Sequence, residues 1–247
     1  MSRLSGKVAV VTGASKGIGA AIAERLAAEG AAVVVNYARD EAGAGAVVSR
    51  IQEKGGVAKA VQADVRDAAS VARLFNGAGL GPVDILVNNA GAYEFRPIDA
   101  VDEQHIAALF DINVKGMLLT TREAVKAFGD RGGRIINVSS VVADMPPAGV
   151  SVYSATKGAV NTITRSLAAE LAGRKILVNA IAPGMIETEG AVGMPGYEDF
   201  RGYVVSRTAL GRVGVPQDLV GLAAFLASDD AAWITGQVIS ADGGLRM

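Results

Sequence analysis

Tyr153 and Lys157 stand four residues apart in the stretch YSATK (153–157), a spacing at which the two side chains could share proton transfer. The chain has one histidine and no cysteine, so few other side chains could do acid–base work near neutral pH. Residues four apart share a helix face, and an ammonium group close to a phenol lowers the phenol pKa from its usual value of about 10. We therefore expect Lys157 to lower the pKa of Tyr153. A solvated pair on an outer helix face is the alternative.

Further polar residues lie where they could join this pair. The motifs NNAG (88–91) and NVSS (137–140) each end a short apolar segment. If these segments are parallel strands, both motifs lie at the sheet edge where doubly wound folds bind ligands. Asn113 lies within an apolar helical pattern, where an amide needs a hydrogen-bond partner. Asn113 could therefore face the same crevice or join two helices as a structural amide.

The glycine-rich stretch TGASKGIG (12–19) follows an apolar segment and opens a helical pattern. Gly13, Gly17 and Gly19 would allow a sharp turn, close approach to a pyrophosphate and tight packing of helix on strand. The N-terminus of the helix would then face the phosphate charge. A dinucleotide site is the prediction, and an ordinary tight turn is the alternative because the spacing G-x-x-x-G-x-G is not the common one.

The end of the second apolar segment carries no carboxylate that could accept from a ribose 2′-hydroxyl group. Lys16 and Arg39 could instead pair with a 2′-phosphate, so we predict NADP(H) rather than NAD(H), with solvated surface charges as the alternative. Asp64 and Val65 are expected near the adenine, although Asp64 could equally be a helix cap. The predicted contacts of the nucleotide are Gly13, Ser15, Lys16, Gly17, Ile18, Gly19, Asn36, Tyr37, Ala38, Arg39, Asp64 and Val65.

Short Val- and Ile-rich segments alternate with longer amphipathic ones along the whole chain, which predicts one α/β domain over residues 1–247. Several segments are apolar on both faces, as in a seven-stranded parallel sheet of the doubly wound Rossmann type covered by helices on each side. Segment 188–212 breaks the alternation, and we expect a mobile insertion that covers the substrate. The predicted strands are 7–13, 31–38, 58–65, 84–91, 134–140, 176–184 and 237–244. The predicted helices are 18–29, 41–54, 68–75, 102–127, 151–171 and 216–227.

The composition argues against several classes of protein. The net charge is −1 and the basic residues are scattered, which does not favour a nucleic-acid partner. The absence of cysteine excludes disulfides and thiolate chemistry, and no cluster of His, Asp and Glu indicates a metal site. No long apolar span or signal-peptide pattern is present, so we expect a cytoplasmic protein without a membrane partner. His105, in a polar helix start, is expected to be solvated.

Taken together, TGASKGIG, NNAG, Asn113, Ser140, YSATK and IAPGMIET (181–188) resemble the short-chain dehydrogenase/reductase family in order and spacing, over residues 7–244. The resemblance implies that Tyr153 is the catalytic acid/base and that Lys157 lowers its pKa and holds the nicotinamide ribose. It further implies that Ser140 hydrogen-bonds the substrate carbonyl and that Asn113 orders a relay water. The remaining residues that it assigns to the cofactor are Asn89, Ala90, Gly91, Pro183, Gly184, Ile186 and Thr188.

The sequence is most similar to 3-oxoacyl-carrier-protein reductases and to glucose dehydrogenases within the family. The resemblance implies an NADP(H)-dependent carbonyl or 3-oxoacyl reductase, with a glucose- or polyol-type dehydrogenase as one alternative and a non-catalytic dinucleotide-binding regulatory protein as another. Segment 188–212 is longer and more aromatic than the covering segment of carrier-protein reductases, which weakens that assignment. The candidate pocket residues are largely apolar and suit a hydrophobic ketone, unless they are ordinary core residues; they are Tyr93, Met145, Pro146, Met185, Met194, Tyr197 and Phe200.

Partners are implied by the same resemblance. The expected partner is a small carbonyl or alcohol substrate, and an acyl-carrier protein is a further candidate, with Arg131 and Arg174 at positions that would dock it. The apolar helices over 102–127 and 151–171, together with the C-terminal stretch 233–247, imply a homotetramer, and the sequence does not separate this from a dimer.

Overall fold

The fold is built on one seven-stranded sheet in which every neighbouring pair of strands is parallel. The computed structural model describes residues 2–77, 79–192 and 196–245. The strands are β1 (Val8–Val11), β2 (Ala32–Tyr37), β3 (Val57–Gln62), β4 (Ile85–Asn88), β5 (Gly133–Val138), β6 (Ile176–Pro183) and β7 (Val238–Ala241). Their order is β3-β2-β1-β4-β5-β6-β7, which confirms the predicted doubly wound sheet.

Helices cover both faces of this sheet. They are α1 (Gly17–Ala28), α2 (Glu41–Glu53), α3 (Ala68–Gly77), α4 (Glu103–Phe110), α5 (Met117–Phe128), α6 (Ser151–Leu171), α7 (Glu189–Val192), α8 (Tyr197–Arg207) and α9 (Gln217–Ala227). One core cluster joins the sheet to α1, α2 and α9, and a second joins it to α3, α5 and α6. Strands β1 and β4 are buried along their whole length, as expected for a parallel sheet between two helical layers.

The strand order changes direction between β1 and β4. From β1 the chain winds outward through β2 to β3, whereas β4 lies on the other side of β1 and leads to β5, β6 and β7. The loops that leave β1 and β4 therefore separate, and they open a crevice at the carboxyl ends of the strands. Four of the predicted motifs lie at the ends of strands on this edge: TGASKGIG at β1, NNAG at β4, NVSS at β5 and IAPGMIET at β6.

Three local features differ from the sequence-based expectations. The helix expected over 102–127 is interrupted by a π-helical turn at Asp111–Gly116, which lies between α4 and α5. His105 was expected to be solvated, but this is wrong: it is buried in α4, and its ring nitrogen Nε2 lies 3.2 Å from the Glu94 carbonyl oxygen. Segment 188–212 is largely helical, forming α7 and α8, with 193–195 outside the described residues.

None of the helices within the described residues is long and apolar enough to cross a membrane. Within the same ranges, no group of three or more His, Asp or Glu side chains is placed to hold a metal ion.

Candidate active site

A cavity of about 570 Å³ lies at the carboxyl edge of the sheet. Its walls come from the glycine loop before α1, the segments that follow β4, β5 and β6, the first turns of α6, and α8. Most of the side chains that line it are apolar. The polar groups are few, and they include Ser140, Tyr153 and Lys157. A concave apolar site with a few convergent polar groups is the usual form of a small-molecule site.

The glycine loop forms one end of this cavity, and its shape allows a phosphate group to approach the backbone closely. Gly13 and Gly17 have φ angles of +61° and +58°, in the left-handed region that favours glycine. A Cβ atom on Gly13 would lie 2.8 Å from the Ala90 Cα atom, so no side chain fits there. Helix α1 then begins without a side-chain cap and without an acidic residue in its first turn. Its N-terminal N–H groups and dipole therefore favour an anion such as a phosphate.

Two buried side chains fix the shape of this loop. Asn36, at the end of β2, accepts a hydrogen bond from the Gly13 backbone N–H at 3.3 Å and donates to the Ala63 carbonyl oxygen at 3.1 Å. The Thr12 hydroxyl oxygen accepts from the backbone N–H groups of Asn89 and Ala90, each at 3.0 Å. The loops after β1 and β4 are thus tied together. Sequence reasoning assigned Asn36 to the cofactor, but in the structure its amide is buried beneath the loop and engaged with backbone.

The two cationic residues that are expected to pair with a ribose 2′-phosphate lie at the outer end of the crevice. Lys16 and Arg39 are exposed, and Lys16 lines the cavity. The Asp64 carboxylate is paired with Arg66, with an N–O distance of 2.7 Å, and this guanidinium group lowers the pKa of Asp64 to about 2. Asp64 does not cap the following helix, because the backbone N–H of Ser70 donates to Asp67 instead.

The nucleotide-site predictions divide into two groups in the structure. Several of the named residues face the cavity directly: Lys16, Gly17, Ile18, Asn89, Gly91, Pro183, Gly184, Ile186 and Thr188. The others form the loop behind it or the outer edge beside β2 and β3: Gly13, Ser15, Gly19, Asn36, Tyr37, Ala38, Arg39, Asp64, Val65 and Ala90. Tyr37 is buried, and its pKa is raised by burial and by the nearby Glu41 carboxylate.

Ser140, Tyr153 and Lys157 meet at the inner end of the cavity, as their motifs predicted. The Tyr153 phenol is partly buried and hydrogen-bonds the Ser140 hydroxyl. The Lys157 ammonium is buried; it donates to the Val138 carbonyl oxygen at 2.9 Å and lies 5.7 Å from the centre of the Tyr153 ring. The neighbouring Ser139 hydroxyl is buried and donates to Asn161. Ser140 is therefore the serine that faces the phenol.

The pKa of Tyr153 differs in direction from the expectation. Burial raises it to about 12, an effect that the hydrogen bond with Ser140 only partly offsets. Burial also lowers the pKa of Lys157 to about 8. The lysine was expected to lower the phenol pKa, but it is not among the groups that shift it, and its ammonium donates to the Val138 carbonyl oxygen instead. At neutral pH the phenol is therefore protonated and able to donate.

Asn113 lies in the π-helical turn and is buried. Its side-chain oxygen accepts from the Ala92 backbone N–H at 2.9 Å, while its amide group donates to the Ala92 carbonyl oxygen at 2.9 Å and to the Thr156 hydroxyl at 3.0 Å. Thr156 in turn donates to the Tyr153 carbonyl oxygen at 2.7 Å. Asn113 thus joins the segment after β4 to the helix that carries the phenol, and both amide hydrogens are engaged.

Sequence reasoning missed several buried polar residues that support this arrangement. Asn88, at the end of β4, donates to Asn137 at 2.9 Å and to Thr121 at 3.0 Å, and it accepts from Thr120. Asn137 donates to Thr164 at 2.9 Å. A single asparagine in each of these two largely apolar strands was the available signal, because a buried amide requires partners.

The predicted substrate residues are only partly brought together. Tyr93, Met185, Tyr197 and Phe200 line the cavity. Pro146 does not, and Met145 instead packs against a small apolar cluster that includes Val204 and Leu245. Met194 lies outside the described residues. Lining side chains that the sequence analysis did not name are Phe95, Val141, Val142, Pro147, Ala148, Val150, Glu189, Val204 and Leu245.

Arg131 and Arg174, the candidate docking residues for a carrier protein, lie at the amino ends of β5 and β6, at the sheet edge opposite the cavity. Arg131 pairs with Asp84, with an N–O distance of 2.7 Å. Arg174 donates to the Val125 carbonyl oxygen at 2.8 Å, near the end of α5. Both guanidinium groups therefore have structural partners within the same subunit.

The comparison with known proteins decides the family. A family model described as "Enoyl-(Acyl carrier protein) reductase" matches residues 13–246. The chain belongs to the short-chain dehydrogenase/reductase family. Like other members of that family, it is an oxidoreductase.

Three relatives illustrate this membership of the short-chain dehydrogenase/reductase family. An "uncharacterized oxidoreductase" of Methylorubrum extorquens is 56% identical, with 100% of both chains covered. A 3beta-hydroxysteroid dehydrogenase of Eggerthella lenta is 43% identical, covering 99% of this chain and 95% of the relative. The crystal structure of a blue fluorescent protein from a metagenomic library, in complex with NADPH, superposes with a TM-score of 0.92 at 39% identity, covering 99% of this chain and 100% of that one.

Proposed function

We propose that this protein is an NADP(H)-dependent reductase of apolar ketones that also oxidises the corresponding secondary alcohols. The observation that carries the proposal is the meeting of Ser140, Tyr153 and Lys157 at the inner end of an apolar cavity whose outer end is the glycine loop. The steroid dehydrogenase of Eggerthella lenta supports an apolar alcohol or ketone as substrate, and the NADPH-bound structure supports the cofactor.

In the reduction, the Tyr153 hydroxyl donates its proton to the carbonyl oxygen as negative charge develops there. Ser140 stabilises that oxygen through its hydroxyl, an interaction that strengthens toward the transition state. When bound in the cavity, NADPH would supply the hydride that the carbonyl carbon accepts. Because the pKa of Tyr153 is about 12, the phenol is in the donating form at neutral pH, which favours reduction.

Lys157 serves this reaction from one turn along α6. Its ammonium group lies against the same end of the cavity and is held by the Val138 carbonyl oxygen. We propose that it also hydrogen-bonds the ribose of the nicotinamide. Asn113 holds the two neighbouring segments in place through Ala92 and Thr156. If it orders a relay water, the contact is not made by its amide hydrogens, which are both engaged.

The central test is a substrate panel with a tyrosine variant. NADPH oxidation is measured with apolar ketones, 3-oxoacyl thioesters, enoyl thioesters and aldoses. We expect activity on the apolar ketones and a loss of at least about 100-fold in kcat/KM for Tyr153→Phe, which removes the proton donor. A wild-type protein inactive on every ketone, or a fully active Tyr153→Phe, would contradict the proposal. Preference for aldoses would favour a polyol dehydrogenase, and tight NADPH binding without turnover would favour a binding protein.

The preference for NADP(H) rests on charge at the outer crevice. Strand β2 ends in Asn36 and Tyr37 rather than a carboxylate, whereas Lys16 and Arg39 are exposed there. We expect Lys16→Ala combined with Arg39→Ala to raise KM for NADPH about tenfold or more and to leave KM for NADH unchanged. Lys54→Ala, on an exposed lysine of the next helix end, is the control. Equal losses for the two cofactors would contradict the assignment.

The carrier-protein and oligomer proposals need separate tests. Charge reversal at Arg131 and Arg174 would lower activity only on carrier-bound substrates if they dock a carrier. Because both groups have partners on the edge opposite the cavity, we expect no such selective loss.

A homotetramer is supported by the fully exposed Trp233 and by the exposed Ile106 and Leu118. Light scattering after size-exclusion chromatography should give about four times the subunit mass, and a monomer would refute it.

A further inference from the structure

Two aromatic side chains beside the phenol are exposed to the cavity although nothing in the reaction requires them. Tyr93 and Phe95 line the cavity and are 41% and 42% exposed. Their ring centres lie 6.0 Å apart, and each lies close to Tyr153, at 6.3 Å for Tyr93 and 6.0 Å for Phe95. Three rings thus lie close together in the cavity lining, and one of them is the ring of the proton donor. We call Tyr93 and Phe95 the aromatic pair.

The backbone that carries the aromatic pair is held on every side. Asn113 binds both the N–H and the carbonyl of Ala92, immediately before the pair. The backbone N–H of Arg96, immediately after it, donates to the Gly149 carbonyl oxygen at 2.9 Å. Between these anchors, the Nε2 atom of the buried His105 ring lies 3.2 Å from the Glu94 carbonyl oxygen. The backbone that carries the pair is therefore anchored without a ligand.

The residues of this segment alternate between the cavity and the outer surface. Tyr93 and Phe95 line the cavity, whereas Glu94 and Arg96 lie outside it. On that outer side, Arg96 pairs with Glu94 at 2.7 Å and with Asp102 at 2.9 Å. Helix α7 also leaves room for one of the rings, since a Cβ atom on Gly190 would lie only 3.2 Å from the Tyr93 hydroxyl.

An exposed aromatic surface in a cavity should bind a flat aromatic ring more strongly than a puckered saturated one. Aromatic rings interact through offset or edge-to-face contacts that add to the burial of apolar area, and a puckered saturated ring gains only the burial. Building on the proposed ketone reduction, we propose that Tyr93 and Phe95 are specificity-determining residues that select ketones whose carbonyl is attached to a planar aromatic ring. Phe95 holds that ring beside Tyr153, with the carbonyl directed at the phenol.

The test uses two ketones that differ in the flatness of one ring, acetophenone and cyclohexyl methyl ketone. Their kcat/KM ratio is measured for the wild type and for Phe95→Leu, which keeps an apolar side chain and removes the ring. We expect the aryl-to-cyclohexyl ratio to fall about fivefold in Phe95→Leu and in Tyr93→Leu. A weaker proton donor lowers kcat/KM for both ketones by the same factor, which cancels in the ratio. If the aromatic pair had only a structural role, its replacement would therefore leave the ratio unchanged.

Two matched variants complete the experiment. Phe95→Tyr keeps the ring and should keep the wild-type ratio. Phe110→Leu removes a comparably exposed phenylalanine, 36% exposed in α4 and outside the cavity, and should also keep it. An unchanged ratio in Phe95→Leu, or an equal fall in Phe110→Leu, would overturn the inference while leaving the ketone-reductase proposal intact.

Binding gives a readout that does not depend on turnover. Calorimetry with NADPH-loaded protein compares naphthalene-2-carboxamide with its saturated counterpart, decalin-2-carboxamide. We expect Phe95→Leu to weaken binding of the naphthalene compound about fivefold and to change binding of the decalin compound little. If the wild type reduces no ketone yet shows this pattern, the proposed function fails and the aromatic selection stands. If Phe95→Leu weakened the binding of both compounds equally, the inference that the aromatic pair selects aromatic rings would be overturned.

Discussion

The buried charge of Lys157 should make the stability of this protein depend on pH in a defined way. Burial lowers the pKa of Lys157 from an ordinary 10.5 to about 8. Because one pKa unit corresponds to ~1.4 kcal/mol, the charged lysine destabilises the folded state by about 3 kcal/mol at neutral pH. The hydrogen bond to the Val138 carbonyl oxygen offsets part of that cost. A neutral side chain of similar length, Lys157→Met, removes both contributions.

The sign of the pH dependence follows from proton binding. Between about pH 8 and pH 10.5, the unfolded chain keeps the lysine proton and the folded protein has lost it. The unfolded state therefore binds more protons, and the free energy of unfolding of the wild type rises with pH in this window. Lys157→Met lacks this rise. The difference in unfolding free energy, variant minus wild type, should thus fall by roughly 2–3 kcal/mol between pH 7 and pH 10.

The measurement is urea unfolding at several pH values, with ligand-free protein. Both proteins are also compared in a Tyr153→Phe background, which removes the titration of the neighbouring phenol. Lys54→Met, on a side chain that is 69% exposed, is the control and should follow the wild type at all pH values. If the difference between Lys157→Met and the wild type stays constant from pH 7 to pH 10, the Lys157 ammonium is not desolvated and burial does not set its pKa.

Three further predictions concern the cofactor loop, the covering helix and the direction of the reaction. Gly19→Ala should weaken NADPH binding at least about tenfold in a fluorescence titration, since its Cβ atom would lie 2.6 Å from the Gly13 carbonyl oxygen; unchanged affinity would contradict this. Tyr197→Phe loses the 3.0 Å hydrogen bond to Glu187 and should raise the ketone KM about threefold to tenfold with little change in kcat, whereas a loss confined to kcat would argue against it. Because the pKa of Tyr153 is about 12, alcohol oxidation should accelerate from pH 6 to pH 9 while ketone reduction does not, and a flat oxidation profile would exclude the phenol as the base.

Much of the fold could be predicted from the sequence because its signals are local. Val- and Ile-rich segments of strand length alternate with amphipathic segments, and this pattern predicts a parallel sheet between helices wherever the strands finally lie. Glycine at 13, 17 and 19 indicates a tight turn before a helix for the same reason, since only the local backbone is involved. The resemblance to the family implied that Ser140, Tyr153 and Lys157 form a set, and the structure brings them together.

The roles of the polar residues depend instead on neighbours that are distant in sequence. Asn36 lies at the end of β2, where a nucleotide-binding residue is expected, but the segments after β1 and β3 hydrogen-bond its amide. His105 has polar sequence neighbours, yet the packing of α4 against the segment after β4 buries it. The π-helical turn around Asn113 has no clear sequence signal, because it is stabilised by contacts with Ala92 and Thr156.

The sequence by itself determined which side chains could perform proton transfer, the order of the strands along the chain and the edge of the sheet at which the motifs meet. Only the tertiary structure decided the pKa values, because desolvation depends on everything that surrounds a group. Proximity in the helix suggested that Lys157 would make Tyr153 a stronger acid, whereas burial makes the phenol a weaker one. The aromatic pair beside that phenol was likewise visible only once the segment after β4 had been placed against α6.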